Sequence, residues 1–240
     1  MKIGMVVAVE LEAVLELFGA EPQILDAPAF QVRCYELSGN QLFVVHCGAG
    51  EIASAAATQF LITKFETELI VNFGVVGGLT PQMKAAHSCV VKSVVHYDFD
   101  VSAVNHCPVG KYFEEPQREI MATPWLLKLA VELEPSLKPV VCASADKFIA
   151  SEEQKKRLHE EFGADICEME AAGILLTCRR NRVPCLMIKS VADSITGGPQ
   201  EFHREFDRAA RKCFEILMKI VERAEKNRFR KTETAFQNLI

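Results

Sequence analysis

Long apolar segments are missing from this chain. The opening stretch Met1 to Val9 is cut short by Glu10 and Glu12 and offers no small-residue cleavage site, so it reads neither as a membrane span nor as a secretory leader, and a cytoplasmic location is expected. An excess of basic residues is missing as well. Lys and Arg number 27 against 32 Asp and Glu, for a formal net charge of -5 at pH 7, which leaves no broad positive surface to meet the phosphates of a nucleic acid. The one basic cluster, Lys226 to Lys231, reads as a solvated tail or helix end. Cysteine is plentiful at nine residues, but they are scattered without a Cys-x-x-Cys pair, and most, like Cys185 in Pro184–Ile188, sit in apolar runs as small hydrophobes. Buried thiols are therefore expected, not disulfides or a metal site. Pro/Gly/Ser-rich linkers, repeats and low-complexity tracts are also absent, so residues 1–225 are expected to form one domain, followed by a polar tail at 226–240.

What is present is an alternation of two patterns. Short apolar runs, at Ile3–Ala8, Leu42–His46, Leu69–Phe73, Val90–Val95, Val140–Ala143 and Cys185–Val191, predict strands, several of them covered on both faces. Between them, Ile52–Phe65, Thr123–Leu133, Ser151–Phe162, Met169–Arg180 and Pro199 to about Ala224 predict helices. The last carries Phe202, Phe206, Ala210, Cys213, Phe214, Leu217, Ile220 and Val221 at three- and four-residue spacing, as an amphipathic cover. Such alternation predicts an α/β domain with helices on both faces of a largely parallel sheet, with ligands gathered at the carboxyl ends of strands. Asp98 to Pro116 has no clear periodicity and predicts a long functional or interface loop.

Carboxylates fall at those strand ends. Glu168-Met169-Glu170 heads an otherwise apolar helix, and Asp193 closes the run Met187–Asp193, where it serves either a ligand or a turn capped through Ser194 or Ile195. Glu10 and Glu12 follow the first strand, where acids complement a helix dipole as readily as they serve a site. Three Gly-bearing turns are read after strands, at Cys47–Gly50, Gly74–Gly78 and Thr196–Gly198. The first opens a helix, but it has neither the spacing of a dinucleotide fingerprint nor the Lys-Ser/Thr of a P-loop, and sharp turning explains all three equally well.

The order of these pieces resembles the methylthioadenosine/S-adenosylhomocysteine nucleosidase family of the purine nucleoside phosphorylase superfamily, from Met1 to about Ala224. The resemblance rests on Met1-Lys2-Ile3-Gly4 with Ala8 and Glu10-Leu11-Glu12, Asn72–Leu79, Tyr97–Ala103, Ser144–Ile149 and Glu168-Met169-Glu170-Ala171. It implies a single three-layer domain with a mixed, partly closed central sheet flanked by helices, usually a homodimer, acting on a small nucleoside without metal or organic cofactor.

Breaking a purine N-glycosidic bond builds positive charge on the ribose and negative charge on the base, so the chemistry wants a proton donor, an anion and an activated water. By resemblance, Asp193 protonates purine N7, Glu12 is the base toward water and Glu170 holds the ribose hydroxyls. Phe148 stacks on the purine, the Ile149 backbone bonds its edge and Met169 packs by the ribose, with Glu168, Gly77, Lys189 and His106 completing the expected site. The chain departs from the family pattern at Ala192 and Val75 (each Ser in the family), Lys189 (Arg), Glu51 (Lys), and Val104 and His106 (aromatic positions). The alternatives are a purine nucleoside phosphorylase, a futalosine-type hydrolase, or a relative that binds nucleosides without cleaving them.

Overall fold

In the computed structural model, residues 1–237 are described apart from Ala20 and Ser38, with side chains described as far as Arg223. The first strand β1 (Lys2–Val7) leads into α1 (Leu11–Phe18) and then into a meander of β2 (Gln23–Asp26), β3 (Gln31–Leu37) and β4 (Asn40–His46). Next come α2 (Glu51–Phe65), β5 (Leu69–Gly78), β6 (Ser88–His96), a single-turn α3 (Ser102–Asn105) and β7 (Ile120–Met121). The remainder is α4 (Pro124–Leu133), β8 (Lys138–Ser144), α5 (Glu152–Phe162), β9 (Ile166–Glu168), α6 (Ala171–Asn181), β10 (Cys185–Asp193) and α7 (Pro199–Gln237). Pro124 at the head of α4 and the Ser151 hydroxyl accepting the Gln154 amide at 3.3 Å start two of these helices in the usual way.

All ten strands join one sheet in the order β10-β6-β8-β9-β5-β1-β4-β3-β2, with β7 on β6. Because β10 also pairs with β5, the strands β5, β10, β6, β8 and β9 close on themselves while β1, β4, β3 and β2 extend as an open wing. The sheet is mixed and not largely parallel: β1–β4, β1–β5, β5–β10, β6–β8 and β8–β9 run parallel, whereas β10–β6, β5–β9 and β3–β4 are antiparallel. Helices α1, α4 and α7 cover one face, where Val14, Leu126 and Phe214 pack with Ile3, Val71 and Ile188. Helices α2 and α6 cover the other, where Leu61 and Ile174 pack with Val6, Ile70 and Met187. Helix α5 joins a smaller core through Leu158 and Phe162 at the rim.

Two expectations change. The Gly74–Gly78 segment is not a turn but the second half of β5, buried along its whole length. Glycines suit this strand because neighbouring groups press on it: a Cβ on Gly78 would lie 2.2 Å from the Met83 carbonyl oxygen. Helix α7 also runs past Ala224, where the apolar pattern fades, to Gln237, so the segment expected as a polar tail continues the helix backbone as far as it is described.

Candidate active site

The carboxyl end of β1 delivers the first acid. Glu10 precedes α1, yet its carboxylate does not cap the helix; it turns inward, 3% exposed, and accepts the Val75 amide at 2.9 Å and the Val9 amide at 3.0 Å. An ideal Cβ on Gly74 would lie 2.8 Å from Glu10 Oε1 and 3.5 Å from Lys189 Nζ, so only glycine leaves room for both groups. Burial pushes the Glu10 carboxyl up, opposed by the Val75 amide and the Lys189 ammonium. Glu12, the expected base, is exposed on the outer face of α1, because Ala13 and Val14 take the inner face. The structure therefore places Glu10, and not Glu12, among the site acids.

The β9–α6 junction delivers two more. Glu168 accepts the Ala171 amide at 3.1 and 3.0 Å, the Glu170 amide at 3.2 Å, the Ser144 hydroxyl at 2.6 Å and the Lys189 ammonium at 3.1 Å. Burial opposes its ionisation, but Lys189, Ser144 and the Ala171 amide together hold it below the usual carboxylate range. Glu170 accepts the Gly50 amide at 2.9 Å, and burial together with the Glu168 charge pushes its carboxyl up to about 7. The first glycine turn thus serves a carboxylate of the protein, with Gly50 at φ 111°, a conformation that favours glycine.

Behind this layer Glu51 is buried, where it accepts the Ser144 hydroxyl at 2.5 Å and the Gly173 amide. Burial and then Glu168 push its carboxyl up to about 8, so at neutral pH it carries a proton into the cluster, not the cation of the family's lysine.

Strand β10 delivers Asp193 across from Gly77 of β5, after a register shift between Val191 and Asp193. A Cβ on Gly77 would lie 3.0 Å from Cys167 Sγ and 3.5 Å from Asp193 Oδ1. Asp193 is 1% exposed; burial pushes its carboxyl up, against the pull of Lys155. Neither nearby serine of the sequence holds it: Ser190 pairs with Ser88 at 2.7 Å, and Ser194 donates to Glu201 at 2.7 Å. Lys155 of α5 does so, with its ammonium fully buried against Asp193 Oδ2 and against the carbonyls of Ser194 at 2.6 Å and Gly197 at 3.2 Å. The sequence contained a signal for this residue. Lys155 shares the 155, 158, 162 spacing of the buried Leu158 and Phe162, a lysine on the inward stripe of a helix.

Glu10, Glu170 and Asp193 line one cavity of about 380 Å³, within the range of small-molecule sites. Phe148, Ile149, Met169, Glu168 and Gly77 line it too. Phe148 is about half exposed and meets Phe202 of α7 edge-on at 5.4 Å; Phe206 and His203 complete that end. Lys189 lies beneath the lining, bound to Glu168. His106 does not reach this cavity: it is exposed just past α3, with φ 49°. Among the described residues no group of three or more His, Cys, Asp or Glu is arranged to hold a metal, and no helix is long and apolar enough to cross a membrane.

A partly closed mixed sheet with acids converging at its strand ends defines the class, and the profile described as the phosphorylase superfamily matches residues 2–222; the chain belongs to that superfamily. Within it, the chain is 30% identical over 229 residues to the aminodeoxyfutalosine nucleosidase of Helicobacter pylori strain 26695, a match spanning 92% of this chain and 96% of the relative. It is 27% identical over 232 residues to the 5'-methylthioadenosine/S-adenosylhomocysteine nucleosidase of Pseudoalteromonas translucida, spanning 93% and 97%. Among solved structures, the native futalosine hydrolase of H. pylori strain 26695 superposes with TM-score 0.87 at 28% identity, covering 92% of this chain and 97% of that one. The H. pylori 5'-methylthioadenosine/S-adenosylhomocysteine nucleosidase in an inhibitor complex gives TM-score 0.87 at 27% identity, covering 92% and 98%.

Proposed function

We propose that this protein is an N-ribosyl hydrolase that cleaves, with water, the N-glycosidic bond of an adenosine-type nucleoside modified at its 5' position, releasing adenine and a 5-substituted ribose. The observation that carries this reading is the convergence of Asp193, Glu10 and Glu170 on one cavity with largely apolar walls. The relatives named as nucleosidases support it, as does an H. pylori nucleosidase mutant with 5'-methylthioadenosine in its active site, 27% identical with TM-score 0.86.

In this reading Asp193 gives its proton to purine N7 while the electron pair of the C1'–N9 bond moves into the base. Water adds its oxygen to C1' and loses a proton to Glu10. The two acids need opposite states. Burial raises both carboxyls; the Lys155 ammonium opposes it at Asp193, and the Val75 and Val9 amides with Lys189 oppose it at Glu10. Glu170 holds the ribose hydroxyls, Phe148 stacks on the base, the Ile149 backbone bonds its edge and Met169 packs by the sugar.

Water is favoured over phosphate because Glu10, Glu168, Glu170 and Asp193 line the cavity, and carboxyl groups so placed disfavour a further anion. The lysine of the lining, Lys147, is paired with Asp98 at 2.9 Å, and Lys189 is engaged by Glu168. Methylthioadenosine and S-adenosylhomocysteine are the first candidate substrates, which would place the enzyme in cytoplasmic methionine salvage. A futalosine-type nucleoside is the second candidate, supported by the likeness to the aminodeoxyfutalosine nucleosidase of H. pylori.

The active unit in this reading is a homodimer. Val104 and Phe113 of the 98–116 segment are strongly exposed apolar residues, as is Ile52 of α2, and they suit burial against a second copy. Light scattering at twice the chain mass would support this, and a monomer at micromolar concentration would refute it. For substrate choice, base release from methylthioadenosine, S-adenosylhomocysteine, aminodeoxyfutalosine, adenosine and inosine ranks the candidates. Asp193→Asn should lower kcat by roughly 10²-fold or more while nucleoside binding survives. Full activity in that variant would remove Asp193 from the mechanism.

A further inference from the structure

A lysine with no exposed surface needs a reason, because burying an ammonium is costly unless its partners replace water. Lys155 has three such partners: Asp193 Oδ2 and the carbonyl oxygens of Ser194 and Gly197. Its three donors and these three acceptors match in number. The carbonyls belong to the turn between β10 and α7, so one ammonium ties α5 to the end of β10 and to the carboxyl group placed there. The other carboxyl oxygen, Asp193 Oδ1, has no hydrogen-bond partner among the described residues.

We propose that Lys155 is a positioning residue for the reaction: by clamping Asp193 Oδ2 it leaves Oδ1 as the oxygen that carries the proton to the leaving base, and it stabilises the carboxylate left when that proton departs. This inference rests on the reading of Asp193 as the proton donor. A general acid in an apolar pocket faces two demands. It must hold its proton before the reaction, which burial promotes, and it must become an anion afterwards, which burial alone penalises. An ammonium at hydrogen-bond distance meets the second demand without a movement of the backbone. In the family pattern a serine before the aspartate helps to hold it; here that position is Ala192, and the clamp comes from α5 instead.

The charged and titratable groups that face Asp193 are Lys155 from α5, Glu201 from α7 and Cys167 from β9. Glu201 pushes the Asp193 carboxyl up, burial does so more strongly, and Lys155 opposes both. Removal of the ammonium should therefore raise the pH at which Asp193 loses its proton, and the basic limb of the kcat–pH profile should move upward. A lysine that merely anchored α5 would leave that limb in place.

The experiment compares Lys155→Met, Lys155→Gln and Lys155→Arg with Asp193→Asn and the double variant Lys155→Met/Asp193→Asn, on the nucleoside that the wild type cleaves fastest. Glutamine keeps a donor for the Ser194 and Gly197 carbonyls without the charge, so it supplies the same readout if the methionine variant folds poorly. The expected result for Met and Gln is a fall in kcat of about 10²-fold, with KM within about threefold. The basic limb should rise by about one pH unit. Arginine should restore at least tenfold of the lost kcat, and the double variant should be no slower than Asp193→Asn alone. An unchanged limb in the uncharged variants, or a loss that arginine does not relieve and that appears equally in the Asp193→Asn background, would overturn the proposal. Full activity of Asp193→Asn would instead refute the role of Asp193, so the two failures are distinct.

Discussion

At the scale of single residues, the site depends on which of two neighbouring acids turns inward. Glu10 and Glu12 stand two positions apart, and sequence spacing favours neither, since both suit the start of a helix. The decision is made by Ala13 and Val14, which pack inward and turn Glu12 to solvent, and by the Val75 amide, which receives Glu10. Glu10→Gln should lower kcat by roughly 10²-fold or more, and Glu12→Gln should leave it within about twofold. Equal losses in the two variants would return Glu12 to the site.

Glu51 offers a second test at this scale. Its carboxyl is pushed up to about 8 by burial and by Glu168, so the folded protein holds a proton that the unfolded chain releases near pH 4.5. The stabilisation linked to this group is complete below about pH 4.5 and is lost as pH rises through about 8. Glu51→Gln should flatten the decline of urea midpoints between those limits relative to wild type; a parallel decline in both would contradict it. The sequence showed that an acid replaces the family's lysine here. It did not show that Ser144 and Gly173 receive that acid, because those partners arrive from other elements.

At the scale of elements, the short uninterrupted apolar runs were the legible part. The runs in β1, β4, β5, β6, β8 and β10 are buried on both sides, and burial writes itself as uninterrupted Val, Ile and Leu. Strands β2 and β3 mix polar with apolar residues, and β7 and β9 have only two and three residues, too short to show a period. The second half of β5 was hidden because Gly74, Gly77 and Gly78 look like turn residues, whereas here they admit Glu10, Asp193 and the Met83 backbone.

Close packing between α2 and α6 gives an element-scale prediction. A Cβ on Gly173 would lie 2.4 Å from the Glu51 carbonyl oxygen and 2.9 Å from its carboxylate, so Gly173→Ala must push the helices apart. A destabilisation of about 1–3 kcal/mol in chemical unfolding is expected. A variant as stable as wild type would mean that the helices separate freely.

At the scale of the molecule, the closure of β5, β10, β6, β8 and β9 brings the ends of β1, β5, β9 and β10 together, and so gathers acids that lie up to 183 residues apart in sequence, from Glu10 to Asp193. Closure is a long-range property that local periodicity does not record: the inward stripe of α5 marks Lys155 as buried, but only the folded sheet shows that it meets Asp193. The central claim is that this assembly uses water to cleave a nucleoside. Its most direct test is the rate of adenine release from 5'-methylthioadenosine in phosphate-free buffer and again with phosphate added. The same rate is expected in both; release that requires phosphate, or none at all from a nucleoside that demonstrably binds, would contradict hydrolysis by this site.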